Sequence, residues 1–198
     1  MGSQKTREQI VEAADDLFYR QGYERTSFAD IAAAVQISRG NFYYHFKTKD
    51  EILDAVIVHR LAKTSAMLDR WEAEGEKPED RIRRFIEMLI ANRAKIMLYG
   101  CPVGSLCGEL AKLDHSAQDQ ANKILALFRD WLARQFKLLG RGKDADALAL
   151  HLLVLAQGVA AVATAFRDET FIRQESARMN AWLDAECVRP VTPKSKRA

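Results

Sequence analysis

Apolar residues recur along the chain at the three- and four-residue spacing of amphipathic α-helices, and no segment shows the strict alternation of a β-strand. The first helix is predicted to begin at a capping box formed by Thr6 and Gln9 and to end at Gly22. Its apolar face consists of Ile10, Ala14, Leu17 and Phe18.

The same spacing predicts helices along most of the remaining chain. They begin at Ser27, Ser38, Thr48 and Pro78, and three longer ones span about 116–139, 144–166 and 170–186. We therefore predict an all-α protein of about nine helices, with a three-helix N-terminal head. The predicted domains are the three-helix head at 1–50, a larger helical bundle at 51–188, and a flexible tail at 189–198.

The composition limits the classes of protein to which this helical chain can belong. Of its 198 residues, 48% are hydrophobic, which is enough to bury a sizeable core. The formal net charge is only +3, so any case for nucleic-acid binding has to be local. Three cysteines do not form a disulfide framework, and we expect a reducing, cytoplasmic setting. No apolar run is judged long enough to span a membrane, so no membrane partner is expected.

Two short helices and the turn Gln36-Ile37 between them predict a helix-turn-helix. Ser38 is placed to cap the amide of Asn41, and Ile37 to pack on Phe42 as a hydrophobic staple. The third helix is then the recognition helix, with its polar and aromatic side chains facing outward.

Residues suited to DNA contact are concentrated in and beside this helix. Arg39 can bond guanine and Asn41 adenine, each through two hydrogen bonds, and Gly40 would allow close approach to the groove. Tyrosine, histidine and lysine side chains can reach phosphate oxygens beside the start of the fourth helix. The candidate DNA-binding residues are Thr26, Ser27, Ser38, Arg39, Gly40, Asn41, Tyr43, Tyr44, His45, Lys47 and Lys49.

The order and spacing of residues 5–55 resemble the N-terminal domain of the TetR/AcrR family of regulators. The matching residues are Thr6, Ile10, Ala14, Leu17-Phe18, Gly22-Tyr23, Thr26, Ile31-Ala32, Ser38, Gly40, Phe42-Tyr43-Tyr44-His45-Phe46, Lys49 and Leu53. The resemblance implies a homodimer in which the first three helices form a DNA-binding domain at 1–50. The larger part at 51–188 then binds an inducer and dimerises. It also implies that Arg39, Asn41, Tyr43, Tyr44, His45 and Lys49 lie at the DNA, with Thr26 or Ser27 near a phosphate. Gln36 departs from the glycine usual in the turn, at a cost of about 1 kcal/mol if its backbone is left-handed.

The C-terminal part offers candidates for a pocket and a dimer face. A mostly apolar set with a few polar groups suits a small, partly hydrophobic effector. That set is Phe85, Met88, Leu89, Asn92, Met97, Tyr99, Cys101, Leu106, Leu110, Phe128, Trp131, Leu155 and Gln157. A helix rich in alanine and glycine, with the last helix, suits close packing between two subunits. The dimerisation candidates are Leu152, Ala156, Val159, Ala160, Ala163, Phe171, Met179 and Trp182.

The leading hypothesis is a repressor whose effector changes the spacing of its two DNA heads. One alternative is a thiol-based regulator that senses electrophiles or oxidants through Cys101 at a helix N-terminus. The other is a ligand-binding or catalytic helical protein without a DNA role. We find no nucleophile–base pair, phosphate loop or paired acids, and we expect neither an enzyme nor a cofactor. A metal site built from Cys101, Cys107, His115 and Cys187 fits no standard zinc spacing.

Overall fold

The computed structural model describes residues 2–188, and the tail predicted at 189–198 lies outside the described residues. Within 2–188 the chain forms ten helices and no strand, one helix more than the nine or so expected. They are α1 (Gly2–Gln21), α2 (Phe28–Val35), α3 (Arg39–His45), α4 (Lys49–Glu74), α5 (Pro78–Ala91), α6 (Arg93–Tyr99), α7 (Pro102–Lys112), α8 (Gln118–Leu138), α9 (Ala145–Phe166) and α10 (Glu169–Val188).

Local sequence signals account for most of these boundaries. Ser27 and Ser38 cap α2 and α3, and Pro78 occupies the first turn of α5, as predicted. The prediction for α1 is wrong at its start, because the helix begins at Gly2 and Thr6 lies inside it. A capping box is a local pattern and does not stop a helix whose preceding residues can continue the same hydrogen-bond ladder.

The chain divides into two compact units that do not follow the predicted domains. The first contains the described residues up to Met67 together with 98–127, and the second contains 68–97 and 128–188. The predicted boundary at residue 50 falls inside the first unit. Buried apolar residues of the N-terminal half of α4, such as Ile52 and Val56, lie in this unit and belong to its core.

Polar contacts attach α7 to α1 and α4 within the first unit. The Tyr19 hydroxyl donates to the Gly100 carbonyl at 2.8 Å. The Arg60 guanidinium pairs with Asp15 at 2.5 Å and donates to the Pro102 carbonyl at 2.6 Å. Burial raises the pKa of Tyr19 to about 12, so its hydroxyl stays protonated as a donor. The segment that begins α7 is thus held by both helices.

The second unit is built on α10, which packs against α5 and α9. The Arg141 guanidinium, in the turn between α8 and α9, donates to the Glu186 carboxylate at 2.5 Å and to the Glu186 carbonyl at 3.0 Å. The side chains of this pair are only 8% and 10% exposed, so water reaches the two charges little, and Arg141 also pairs with Asp144 at 3.2 Å.

Among residues 2–188, α9 is long and apolar enough to cross a membrane, judged by length and composition alone. This corrects the expectation that no apolar run reaches that length. Eight of its residues, including Ala149, Leu152 and Ala160, are buried in the packing of the second unit, which explains the apolar character of that face.

Candidate DNA-binding site

The helix-turn-helix begins with a double cap on α2. The Asp30 amide donates to the Ser27 hydroxyl oxygen at 3.2 Å, and the Ser27 amide donates to the Asp30 carboxylate at 2.8 Å. The backbone amide and then the hydroxyl of Ser27 lower the pKa of the Asp30 carboxyl from its ordinary value. This reciprocal cap satisfies donors that the first turn of a helix leaves without partners.

The turn between the two helices is left-handed at Gln36, where φ is 56° and ψ is 40°. The Gln36 amide donates back to the carbonyls of Ala32 and Ala33, and the Ile37 amide donates to Ala32 at 3.4 Å. These bonds close the end of α2 in the manner usually seen with glycine. A glutamine is therefore held in a conformation that its Cβ disfavours.

The recognition helix α3 is fixed from its start and from its inner face. The Asn41 amide donates to the Ser38 hydroxyl oxygen at 3.3 Å, as predicted. Phe42 and Phe46 are 1% and 2% exposed and anchor the helix in the core of the first unit. Phe28 contacts Phe42 edge-on and stacks on the Tyr43 ring, with ring centroids 5.2 and 5.6 Å apart.

The outer face of α3 carries most of the predicted DNA-contact residues. Ser38, Arg39, Gly40, Asn41, Tyr43, Tyr44 and Lys47 are exposed, and His45 is half-buried against Tyr44. The side chains of Arg39 and Asn41 have no hydrogen-bond or ion-pair partner among residues 2–188. A Cβ added at Gly40 would have no neighbour within 4 Å, so the subunit itself does not require glycine there.

Two of the predicted DNA-contact residues make side-chain hydrogen bonds within the subunit. Thr26 is 1% exposed, and its hydroxyl donates to the Gly22 carbonyl at 2.6 Å and accepts from Gln21 at 3.2 Å. We correct its role to one in closing the turn after α1. The Lys49 ammonium donates to the carbonyls of Tyr23 and Glu24 at 3.0 and 3.2 Å, so its charge is directed at the backbone. Of the remaining cations, Lys47 bonds the Tyr43 carbonyl from an exposed position.

Sequence reasoning missed the contribution of α7 to the head. The amides of Tyr23 and Glu24 donate to the Glu109 carboxylate at 2.9 and 3.0 Å. His115 lies beside the Tyr23 hydroxyl at 3.3 Å. No local pattern reveals a contact across 86 residues of chain. The only signal in the sequence is that Glu109 is the only glutamate between residues 88 and 168.

The predicted effector residues are divided between the two units. Tyr99, Cys101, Leu106 and Leu110 belong to the first unit, and the others belong to the second. In the second unit, Trp131 contacts Trp71 and Phe128 contacts Phe85, each with ring centroids 5.7 Å apart. Met88, Met97, Leu155 and Gln157 are half-buried and Leu89 is buried, while Asn92 is exposed and donates to the Met88 carbonyl at the end of α5.

The cysteines do not form a chemical centre in the described part of the chain. Cys101 is half-buried, and its sulfur accepts from the Gly104 amide at 3.4 Å as the N-cap of α7. Cys107 is buried, and burial raises the pKa of its thiol, which disfavours the reactive thiolate. Residues 2–188 contain no group of three His, Cys, Asp or Glu side chains placed to hold a metal ion. The thiol and catalytic alternatives are not favoured.

Most predicted dimerisation residues lie in the interior of the second unit. Leu152, Ala156, Val159, Ala160, Ala163 and Met179 are buried, and Phe171 and Trp182 are half-buried. The small residues of α9 therefore pack against helices of their own subunit, which corrects their placement on a surface. The opposite face of α9 is the exposed one, and it is also apolar: Leu150, Val154 and Phe166 are 52%, 58% and 77% exposed.

Known proteins resemble this chain in sequence and in fold. The family model described as "Bacterial regulatory proteins, tetR family" matches residues 10–56. An HTH-type transcriptional regulator from the lacX 3' region of Lactococcus lactis is 34% identical over 127 residues, which cover 63% of each chain. The alignment thus spans slightly less than two thirds of that relative's length. The HTH-type transcriptional regulator TtgR of Pseudomonas putida is 29% identical over 79% of each chain.

A solved structure extends the similarity to the whole fold. The crystal structure of a TetR transcriptional regulator from Legionella pneumophila has a TM-score of 0.79 and 26% sequence identity, and covers 88% of this chain and 95% of the Legionella chain. The region that superposes on the Legionella chain includes helices well beyond residues 10–56. The capped α2–α3 pair lies within residues 10–56, which match the tetR family model, and the chain shares the fold of the Legionella TetR regulator, so this chain resembles the TetR family of bacterial transcriptional regulators in both sequence and fold.

Proposed function

We propose that this protein is a homodimeric repressor that binds a near-palindromic operator through α3 and leaves it when a small molecule binds. One observation carries the proposal: Arg39 and Asn41 project from a firmly anchored helix and have no described partner in the subunit. Planar side chains with several donors that are left exposed on such a helix suit base edges in a major groove.

Each exposed residue of α3 has a role suited to its chemistry. Arg39 bonds guanine, and Asn41 bonds adenine, through paired hydrogen bonds. The ring of Tyr43 is already held by Phe28, so its hydroxyl can reach a phosphate with little loss of side-chain freedom. Tyr44 is 70% exposed and supplies a second phosphate donor.

The exposed face of α9 supports dimerisation. Leu150, Val154, Gly158, Val162 and Phe166 are exposed and follow one another at intervals of four residues along the helix. A stripe of this kind is self-complementary when a second copy packs against it about a two-fold axis. Two copies would present two α3 helices to half-sites on one DNA duplex.

The effector is proposed to be small and largely apolar. The aromatic side chains of Phe85, Phe128 and Trp131 in the second unit support this chemistry, because such residues favour hydrophobic and aromatic ligands. Thermal unfolding in the presence of a panel of small aromatic and aliphatic compounds tests it. A compound that raises the unfolding temperature should also weaken DNA binding, and one that stabilises without any effect on DNA would contradict the proposal.

Selection of binding sites from a library of random DNA duplexes tests the function itself. The proposal predicts enrichment of a two-fold-symmetric sequence with half-sites one helical turn or a multiple apart, bound more weakly as salt rises. Val154→Glu places a charge in the proposed dimer face and should produce monomers in analytical ultracentrifugation. Glu12→Gln, at an exposed site on α1, is the control and should remain dimeric. Failure to enrich any sequence would refute DNA binding, and a dimeric Val154→Glu would refute the dimer face.

A further inference from the structure

The turn between α1 and α2 is held by opposite charges on its two sides. We call residues 22–24 the Tyr23 turn. Its Tyr23 and Glu24 amides donate to separate oxygens of the Glu109 carboxylate, at 2.9 and 3.0 Å. The carbonyls of the same two residues accept from the Lys49 ammonium at 3.0 and 3.2 Å. An anion from α7 and a cation from α4 therefore bind the same two residues.

The Tyr23 side chain strengthens this arrangement. It is 5% exposed, and the Lys49 nitrogen lies 4.3 Å from the centroid of its ring. Its hydroxyl donates to the Asp50 carboxylate at 2.5 Å, beside the His115 ring nitrogen at 3.3 Å. Burial, followed by the bond to Asp50, raises the pKa of Tyr23 and keeps the hydroxyl protonated. All of these groups belong to the first unit.

Charge-assisted hydrogen bonds of this kind are stronger than neutral ones. The peptide group between Tyr23 and Glu24 has the ammonium at its carbonyl and the carboxylate at its N–H, so both charges polarise it in the same sense and each bond reinforces the other. Because the Tyr23 turn joins α1 to α2, its conformation determines how the α2–α3 pair is presented. A residue that holds the turn therefore affects DNA binding without touching DNA.

We propose that Lys49 and Glu109 are positioning residues that hold the α2–α3 pair in its DNA-binding orientation through the Tyr23 turn. Lys49 then does not make the direct phosphate contact expected from its sequence position. Glu109, which lies 60 residues further along the chain, becomes part of the structure that supports the N-terminal head. The inference rests on the proposed DNA binding. This proposal differs from simple charge attraction, because the acidic Glu109 as well as the basic Lys49 favours binding to the polyanionic DNA.

The salt dependence of DNA binding separates positioning from phosphate contact for Lys49. A lysine that neutralises a phosphate contributes about 0.9 to the slope of log affinity against log salt. Lys49→Met keeps an apolar stem over the Tyr23 ring and removes the charge. The proposal predicts about tenfold weaker binding with an unchanged slope. A slope lowered by about one would overturn it.

Replacing Glu109 gives a second test, because simple charge attraction and the proposal predict opposite changes in DNA affinity. Removing a negative charge from a protein that binds DNA should tighten binding if only Coulomb attraction matters. Glu109→Gln instead leaves one of the two amides facing an NH2 group, and the proposal predicts about tenfold weaker binding. Glu12→Gln removes a charge from an exposed site on α1 and should bind as tightly as the wild type or more so. Equal or tighter binding by Glu109→Gln would overturn the proposal.

The probe for every variant is the duplex that the wild-type protein selects from the random library. Lys49→Met combined with Glu109→Gln should bind little worse than either variant alone, because both act through one turn. Fully additive losses would contradict this coupling. Hydrogen exchange in the wild type supplies a test without any variant: the Tyr23 and Glu24 amides should be protected, and rapid exchange of both would overturn the proposal. If the wild type selects no duplex, the proposed function fails and this inference fails with it. A selected duplex with a lowered Lys49→Met slope refutes only this inference.

Discussion

Replacing Gln36 with glycine should stabilise the helix-turn-helix, because this position is held in a left-handed conformation with φ of 56°. Glycine adopts that conformation without the Cβ clash that an L-residue suffers, and relief of this clash is worth about 1–2 kcal/mol. The greater freedom of glycine in the unfolded chain offsets about 0.4–1 kcal/mol of that gain. The expected net stabilisation of Gln36→Gly is therefore about 0.5–1 kcal/mol, or about 2 °C in the unfolding temperature.

Two control substitutions make the Gln36 prediction sharper. Gln36→Ala carries the same clash and should leave the unfolding temperature nearly unchanged. Gln36→Val adds β-branching at a positive φ and should lower it. Thermal unfolding measures the ranking, and hydrogen exchange of the Ile37 amide, which bonds the Ala32 carbonyl at 3.4 Å, localises the effect to the turn. A glycine variant no more stable than the parent, or a valine variant equally stable, would refute the reasoning.

Three further perturbations test other parts of the structure. Arg141→Met removes this cation from beside the Glu186 carboxylate, which is only 10% exposed. Denaturant unfolding should show that the free energy of unfolding falls by about 3 kcal/mol. A fall of less than about 1 kcal/mol would contradict the buried pair. Ser27→Ala should return the pKa of Asp30 part of the way towards its ordinary value in an NMR titration. Because folding lowers that pKa, the contribution of Asp30 to stability is present above its unfolded pKa, about 3.9, and is lost as the pH falls through the lower folded value. If the pKa of Asp30 is the same in Ser27→Ala as in the wild type, the bond from the hydroxyl is contradicted. Gly40→Ala should stabilise α3 by about 0.5–1 kcal/mol yet weaken DNA binding by crowding the groove, and undiminished binding would show that close approach is not needed there.

The features that depend on residues close together along the chain were predictable from sequence. Ser38 caps the third helix, Pro78 begins the fifth, and Gln36 closes a left-handed turn, because each role depends on backbone bonds within four or five residues. Phe42 is buried and Tyr44 exposed, as helical spacing requires when four aromatic residues lie within residues 42–46.

The contacts that sequence missed join residues far apart along the chain. The Glu109 carboxylate looks like any surface acid of a helix until α7 is placed beside α1. The same limit applies to α9, where small residues such as Ala156 and Ala160 suit either a subunit interior or a dimer face. Which face meets which neighbour depends on tertiary packing, which helical spacing alone does not determine.

The central claim is that α3 reads bases, and Arg39 tests it most directly. Site selection with the wild type and with Arg39→Ala, followed by sequencing of the bound duplexes, measures base preference at every position. We expect the variant to lose its preference at one base pair in each half-site and to bind the wild-type operator more weakly by about 1–3 kcal/mol. The same selected sequence and the same affinity in both proteins would contradict the account.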